Sequence, residues 1–361
     1  MECIRPLYGI ISIPNMKHIE SILALFKVPE SVYSFQAHHQ GLINQTYMVS
    51  NNDKVEFVLQ RINDGIFKDM PALMFNLTSV LPYLSAEDYS EIEYIRTRQN
   101  QQFLEHESGT WRLMKFIENS KVFETSSDPE IAFEAGRIVA KFHELTSSID
   151  SNSFQEVIPK FHNIQYRLTQ FDEAMIHAIP KRKDKAKELL QFIHANMDFI
   201  LSVDPQKMPQ RICHNDTKLN NILFSKDDKA LCLIDLDTIM PGSTLFDLGD
   251  ILRTLVNPAA ENEIDQEKIE FSIEMYRHFL RGLFQNIQTL SEIEIKAIPW
   301  SVVYMPFLHG LRALTDYLMG DQYYAVNYVD ENLDRSRSLL RVSSLGIENQ
   351  DEMNRLLNDY L

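Results

Sequence analysis

The chain has 361 residues, 44% of them hydrophobic, and its 35 basic and 51 acidic side chains leave a formal charge of −16. That surplus excludes the basic face of a bulk nucleic-acid binder, but not an anionic small ligand held by a few local cations. Glycine is sparse, at 11 residues or about 3% against a usual ~7%, which argues against turn-dense β folds and glycine-dependent phosphate loops.

At this length two lobes are expected, with one possible. Cysteines occur only at 3, 213 and 232, with no C-x-x-C pair, as in a chain kept reduced in the cytosol. Cys213 and Cys232 stand in apolar runs and read as buried thiols. The first residues lack a basic segment followed by an apolar run, and no stretch reaches the roughly 18 apolar residues of a membrane span. The expectation is a cytoplasmic protein with no membrane or nucleic-acid partner; the sequence leaves its oligomeric state open.

In chain order, "SVYSFQAH" (31–38), "LINQTYMVS" (42–50) and "KVEFVLQRI" (54–62) read as strands separated by polar turns. "KDMPALMFNLTSVLPYL" (68–84) is helical in spacing, with Leu73, Leu77, Val80, Leu81 and Leu84 on one face. "EYIRTR" (93–98) and "GTWRLMKFI" (109–117) read as further strands. From Asp128 the pattern turns helical, opening with a polar cap and Pro129 in the first turn. More helices are expected at 165–178, 183–202, 266–288, 291–319 and 331–342. The spacing therefore predicts an α+β, bilobal fold: a β-rich lobe over 1–117 and a mainly helical lobe over 118–361.

One β segment interrupts the helices. "NILF" (221–224) and "ALCLIDL" (230–236) flank the turn-rich "SKDDK", so "HNDTKLNN" (214–221) is a loop entering a hairpin. Asp216, Asn221 and Asp235 can then meet at one end of it. Those residue types suit phosphoryl transfer, which needs positioning and charge compensation more than covalent chemistry. Asp216 would orient an acceptor hydroxyl and take its proton. Asn221 and Asp235 would hold Mg²⁺, which prefers carboxylate and amide oxygens. Lys218 would sit on the transferring phosphate.

The stretch resembles the catalytic loop of the protein-kinase-like superfamily, and in particular the aminoglycoside phosphotransferase family. "CHNDTKLNNILF" stands for its H-x-D-x-x-x-x-N, and "LIDLDTIMPGSTLFDLGDILR" for its metal-binding Asp and the following D-x-x-x-D segment. "GLINQTY" (41–47), "FVLQRIN" (57–63), "WRLMKFIENS" (111–120), "IDLDTIMPG" (234–242) and "LRALTDYLMGDQYY" (311–324) are similar to the N-acetylhexosamine 1-kinase branch.

That resemblance implies ATP and Mg²⁺ as cofactors and a sugar acceptor, GlcNAc or GalNAc, phosphorylated on its anomeric hydroxyl. It implies phosphate contacts from the backbone at Ile43, Asn44 and Gln45 and from the side chains of Asn44 and Thr46. It implies an adenine contact from the hinge backbone at Lys115, Phe116 and Ile117. The usual strand Lys is missing. Gln60 falls at its aligned position and Arg61 is the only cation beside it, and strand alternation turns only one of them toward the phosphates. No Glu partner stands in "PALMFNLTSVL". Arg312 and Tyr323 or Tyr324 are implied in the acceptor site, although Arg312 and Asp316 also suit a plain i, i+4 surface pair.

His214 reads as a packed brace for the loop rather than an acid. Asp247, Asp250 and Arg253 read as scaffold, and Asp237 as a metal contact or a cap. Two other readings remain. The same chemistry could act on another sugar, a choline-like amino alcohol or an aminoglycoside, the cationic acceptors favoured by the −16 charge. A nucleotide-binding pseudokinase is favoured by the missing Lys and Glu.

Overall fold

The computed structural model describes residues 16–38 and 44–361. The chain divides into two compact units, one over Lys121–Leu361 and the other over the described residues up to Ser120.

The first unit is built on a five-stranded sheet in the order β1-β2-β3-β5-β4. Its strands are β1 (Ser34–His38), β2 (Gln45–Asn51), β3 (Lys54–Arg61), β4 (Leu104–His106) and β5 (Gly109–Lys115), each antiparallel to its neighbours. Helix α1 (Met16–Leu23) covers one face, where Ile19, Ile22 and Leu23 pack with Tyr47, Val49, Leu59, Trp111 and Leu113. Period-2 alternation puts Thr46, Gln60 and Arg112 on the opposite face.

Helix α2 (Met70–Val80) begins where Asp69 accepts the Ala72 N–H at 2.9 Å and Pro71 fills the first turn. Leu73, Leu77, Val80 and Leu84 are buried as their spacing predicts, while Leu81 is half-buried. "EYIRTR" forms no strand. Tyr94 and Met114 make a single bridge, because β4 already occupies the Gly109–Trp111 end of β5.

A two-residue strand, β6 (Ser120–Lys121), precedes the helical unit. That unit holds α3 (Pro129–Thr146), α4 (Ile164–His177), α5 (Pro180–Lys185) and α6 (Lys187–Ile200). Four short strands follow: β7 (Gln210–Cys213), β8 (Ile222–Ser225), β9 (Ala230–Leu233) and β10 (Met240–Ser243). Strand β7 pairs antiparallel with β10, and β8 with β9. Then come α7 (Thr244–Leu255), α8 (Ile273–Phe284), α9 (Glu292–Lys296), α10 (Ile298–Met319), α11 (Glu331–Glu348) and α12 (Gln350–Leu357).

Pro129 opens α3 behind the Asp128 cap, whose carboxylate accepts the Glu130 N–H at 3.0 Å. The expected helix over 266–288 starts only at Ile273, because the Ser272 N–H donates to Val256 O at 2.7 Å and its hydroxyl caps Met275. The helix expected over 291–319 divides at Ala297, where Pro299 begins α10. The core centres on α10, whose Tyr304, Phe307, Leu308, Leu311 and Leu314 are fully or nearly fully buried. No described helix is long and apolar enough to cross a membrane.

Candidate active site

The loop from His214 to Asn221 joins β7 to β8 and is held by helix α7. Asp247, Asp250 and Thr254 stand at i, i+3 and i+7, one face of the helix. Asp247 accepts the backbone N–H of His214 at 2.9 Å and of Asn215 at 2.6 Å. Asp250 accepts the Lys218 N–H at 3.0 Å, and Thr254 Oγ1 the Leu219 N–H at 3.1 Å. The Thr217 hydroxyl closes the set by donating to Asp247 O at 2.5 Å. These carboxylates fix the backbone of the loop from beneath, a scaffold role.

Buried carboxylates need such partners. Burial alone would raise the Asp250 pKa, but Arg253 and His309 outweigh it and hold the carboxyl well below the usual range. Arg253 Nε lies 2.7 Å from Asp250 Oδ1, and His309 Nε2 lies 3.3 Å from it. The second edge of Arg253 reaches Glu261 at 2.8 Å. Glu261 lies 3.6 Å from Arg335, and the sequence spacing gave no sign of it.

His214 is fully buried, with Nε2 2.9 Å from Ile234 O, so that nitrogen carries the proton. Its Nδ1 then accepts the Asp216 N–H at 3.3 Å. Both nitrogens are engaged with backbone, which makes His214 a brace and leaves it no proton to donate to a ligand.

Four of the expected residues come together. Asn221 Nδ2 donates to Asp216 Oδ2 at 2.9 Å and to Asp216 O at 2.7 Å. Lys218 Nζ lies 3.3 Å from the same Oδ2. Asp216 raises the Lys218 pKa most, with Asp235, Glu261 and Asp250 adding to it against burial, so the ammonium stays charged. The Ile234 N–H donates to Asn221 O at 2.8 Å, which ties the residue before Asp235 to the end of the loop. Asp235 itself is left-handed, at φ 60° and ψ 54°, a strained conformation for a residue other than glycine. Asp237 is buried in the turn that follows.

A second cluster surrounds Arg312 on α10. Its guanidinium lies 5.2 Å from the Phe161 ring centroid and 5.9 Å from that of Tyr323. Asp316 does not pair with it. It accepts the N–H groups of Gln322 at 2.8 Å, Tyr323 at 2.7 Å and Tyr324 at 2.9 Å, and so fixes the loop carrying both tyrosines. Arg335 lies 4.9 Å from the Tyr324 ring. Burial and the nearby Arg312 push the Arg167 guanidinium down to about 10.

In the β unit Asn44 and Thr46 are buried, and Asn44 Oδ1 accepts the Asn63 N–H at 3.0 Å. Ile43 lies outside the described residues. Gln60 Nε2 donates to Thr46 Oγ1 at 3.1 Å, and Gln60 Oε1 accepts Arg112 Nε at 2.9 Å and Nη2 at 2.7 Å. Arg61 turns the other way and donates to Ser108 O. The cation beside Gln60 is therefore Arg112, its cross-strand partner on β5, which sequence reasoning did not single out. At 115–117, Lys115 N–H donates to Glu93 O at 2.9 Å and Phe116 N–H to Glu56 O at 2.8 Å, so neither is on offer to a base. Ile117 O accepts the Ser120 hydroxyl at 2.6 Å.

The sequence profile of the phosphotransferase enzyme family matches residues 34–282, more than two thirds of the chain. The chain belongs to that family. This phosphotransferase-family chain is similar in fold to an amicoumacin kinase solved with AMP-PNP and Ca²⁺, at 14% identity over 92% of this chain and 93% of that one, with a TM-score of 0.60. It is similar to a choline kinase from Cryptosporidium parvum Iowa II, at 15% identity over 96% and 99%, TM-score 0.60. It is also similar to a spectinomycin phosphotransferase in complex with ADP and spectinomycin, at 13% identity over 92% and 97%, TM-score 0.59. At such identities the likeness is one of fold, and the family member carries the β-rich and helical units of the protein-kinase-like fold.

Proposed function

We propose that this family member transfers the γ-phosphoryl group of ATP to a hydroxyl of a small molecule, specifically the anomeric hydroxyl of an N-acetylhexosamine. The observation that supports it best is the convergence of Lys218 and Asn221 on one oxygen of Asp216, at 3.3 and 2.9 Å. With Oδ2 so engaged, Oδ1 of Asp216 is the atom that orients the acceptor hydroxyl and takes its proton. The hydroxyl oxygen bonds to the γ-phosphorus, the bond to the β–γ bridging oxygen breaks, and ADP leaves. Lys218 offsets the charge gathering on the transferred group.

The residues present fit Mg²⁺. Asn221 Nδ2 is engaged with Asp216, so its carbonyl Oδ1 and the Asp235 carboxylate are the hard oxygens an ion would meet. Among the described residues no three His, Cys, Asp or Glu side chains form a cage. That suits Mg²⁺, which takes one or two carboxylates and otherwise waters and phosphates. When bound it would neutralise charge on the β- and γ-phosphates.

Thr46, Gln60 and the Gln60–Arg112 pair are proposed to face the phosphates in place of the usual strand Lys, with the backbone near Ile117 meeting the adenine. Arg312 and Tyr323 are proposed as part of the acceptor site. A planar guanidinium suits an acetamido oxygen and an aromatic face suits a sugar ring.

Asp216→Asn should keep nucleotide binding and lower kcat by several orders of magnitude, measured as sugar 1-phosphate formed with ATP, Mg²⁺ and N-acetylglucosamine. Normal turnover in that variant would remove Asp216 from the base role. Asp235→Ala should abolish Mg²⁺-dependent turnover, and unchanged activity would remove it from the metal site.

A further inference from the structure

The corner of the helical unit around Arg312 is basic, in a chain whose formal charge is −16. Lys160 Nζ and the Arg167 guanidinium lie 5.1 and 5.3 Å from the ring centroid of Tyr166, and the Arg312 guanidinium lies 5.2 Å from that of Phe161. Among the described residues these three cations meet aromatic faces and neutral oxygens, and none forms an ion pair with a carboxylate. We propose that the acceptor carries an anionic group, a carboxylate or a phosphate ester, away from the hydroxyl that is phosphorylated, and that Arg167 and Arg312 bind it. The proposal rests on the phosphotransferase reading above and adds to it the charge of the acceptor, with Arg167 as a specificity-determining residue.

Three observations carry it. The first is a missing counter-charge. Arg167 gives one N–H to Gln170 Oε1 and one to Phe161 O, each at 2.8 Å, and both acceptors are neutral. Arg312 meets the Tyr323 phenol. Two acids of this corner are engaged elsewhere: Asp316 accepts the N–H groups of Gln322, Tyr323 and Tyr324, and Glu261 is shared between Arg253 at 2.8 Å and Arg335 at 3.6 Å. The second is mutual repulsion. Burial and then the Arg312 charge push the Arg167 guanidinium down to about 10, as a like charge with no anion between the two will do. Both guanidiniums are half-buried, so a ligand can still reach them.

The third is position. The Phe161 ring lies 4.3 Å from that of His162, whose Nε2 is 2.9 Å from Asn215 O, one residue before Asp216. The pair of guanidiniums is thus separated from the catalytic loop by one layer of side chains, and one small molecule can place an anionic group on the first and a hydroxyl at the second. A neutral acetamido oxygen answers one guanidinium and leaves the other charge unmet. A carboxylate or phosphate offers two or three charged oxygens, which the planar forks of two arginines can share.

Matched acceptors test the charge, each assayed with ATP and Mg²⁺: N-acetylglucosamine against its 6-phosphate and its 6-carboxylate, glycerol against glycerol 3-phosphate and glycerate, and choline. Wild type should show a kcat/KM about ten- to a hundredfold higher for an anionic acceptor than for its neutral parent, the scale of a charge-assisted contact. Arg167→Gln should bring that ratio to within about threefold of one, chiefly by raising the KM of the anionic acceptor, while Arg167→Lys keeps the charge and should retain much of the preference. An arginine that only held the fold would lower parent and anion alike and leave the ratio unmoved. Arg312→Gln repeats the test at the second guanidinium, should Arg167→Gln not fold. The phosphate and carboxylate arms show which anion is taken. Preference for a neutral parent or for choline, or a ratio that neither glutamine variant moves, overturns the inference and leaves the phosphotransferase reading standing. If only glycerol 3-phosphate or glycerate is turned over and the ratio collapses in the variants, the anion site stands and the N-acetylhexosamine assignment falls. Product from none of these acceptors overturns both.

Discussion

His162 holds the loop from His214 to Asn221 through one contact that a change of pH can reach. Its Nε2 lies 2.9 Å from Asn215 O, and its backbone O accepts the Tyr304 hydroxyl at 2.7 Å. Burial, and then the neighbouring His309, push its pKa down to about 3; Arg312 acts in the same direction, while the Asn215 carbonyl and Asp250 oppose it. The folded protein therefore leaves His162 neutral where the unfolded chain, near 6.5, binds a proton. Stability should fall as pH drops from about 6.5 toward 3, by up to about 1.4 kcal/mol per pH unit for this histidine. His162→Gln keeps a donor for Asn215 O and removes the titration. Thermal midpoints measured from pH 7.5 to 5 should fall less steeply in that variant, and parallel curves would dismiss His162 as the source. Residues of this kind were not legible in the sequence, because what counts is packing against His309 and Phe246 from distant segments. Asp216, Lys218 and Asn221 were legible because one short loop carries all three. Glu261 and Arg112 were not, since each acquires its meaning from a partner far along the chain.

At the scale of elements, α3 and α8 cross at two glycines. A Cβ on Gly136 would stand 2.2 Å from Phe279 O, and one on Gly282 would stand 2.0 Å from Phe133 O. Both distances are far inside contact and the obstacle is backbone, so the helices cannot yield without separating. Gly136→Ala or Gly282→Ala should cost about 2–3 kcal/mol or more. In a unit of this size that lowers the thermal midpoint by roughly 4–10 °C. An unchanged midpoint in both variants would show that the crossing relaxes freely. Close approach of this sort leaves little mark in a single sequence, and neither glycine stood out. Where local chemistry decides, the elements were readable: the Asp128–Pro129 start of α3, the face of α2, and strands β1, β2, β3 and β5. Tertiary competition decided the remainder. Residues 93–98 have strand composition, yet β4 occupies part of the edge they would use. Helix α7 was hidden because Asp247, Asp250 and Thr254, polar by type, are turned inward to hold the loop.

For the whole molecule, the missing strand Lys and its Glu partner leave one choice open, between a phosphotransferase and a chain that binds nucleotide without turnover. Family membership and the paired units agree with either, because both would keep the fold. Ligand-linked stability separates them, since anything that binds only the folded state raises stability by RT ln(1 + [L]/Kd), about 2.7 kcal/mol at a hundredfold excess over Kd. If Asp235 and Asn221 hold Mg²⁺ on the phosphates, wild type should gain several degrees from ATP with Mg²⁺ and clearly less from ATP with EDTA. Asp235→Ala should lose the metal-dependent part and keep the remainder. If the Asp216 carboxylate acts on the acceptor and not on the nucleotide, Asp216→Asn should keep the whole shift while losing turnover. A wild-type shift indifferent to Mg²⁺, together with no product from any acceptor, would establish the binding-only reading. A metal-dependent shift that survives Asp235→Ala would place the ion on other ligands and require the end of the β8–β9 hairpin to be reassigned.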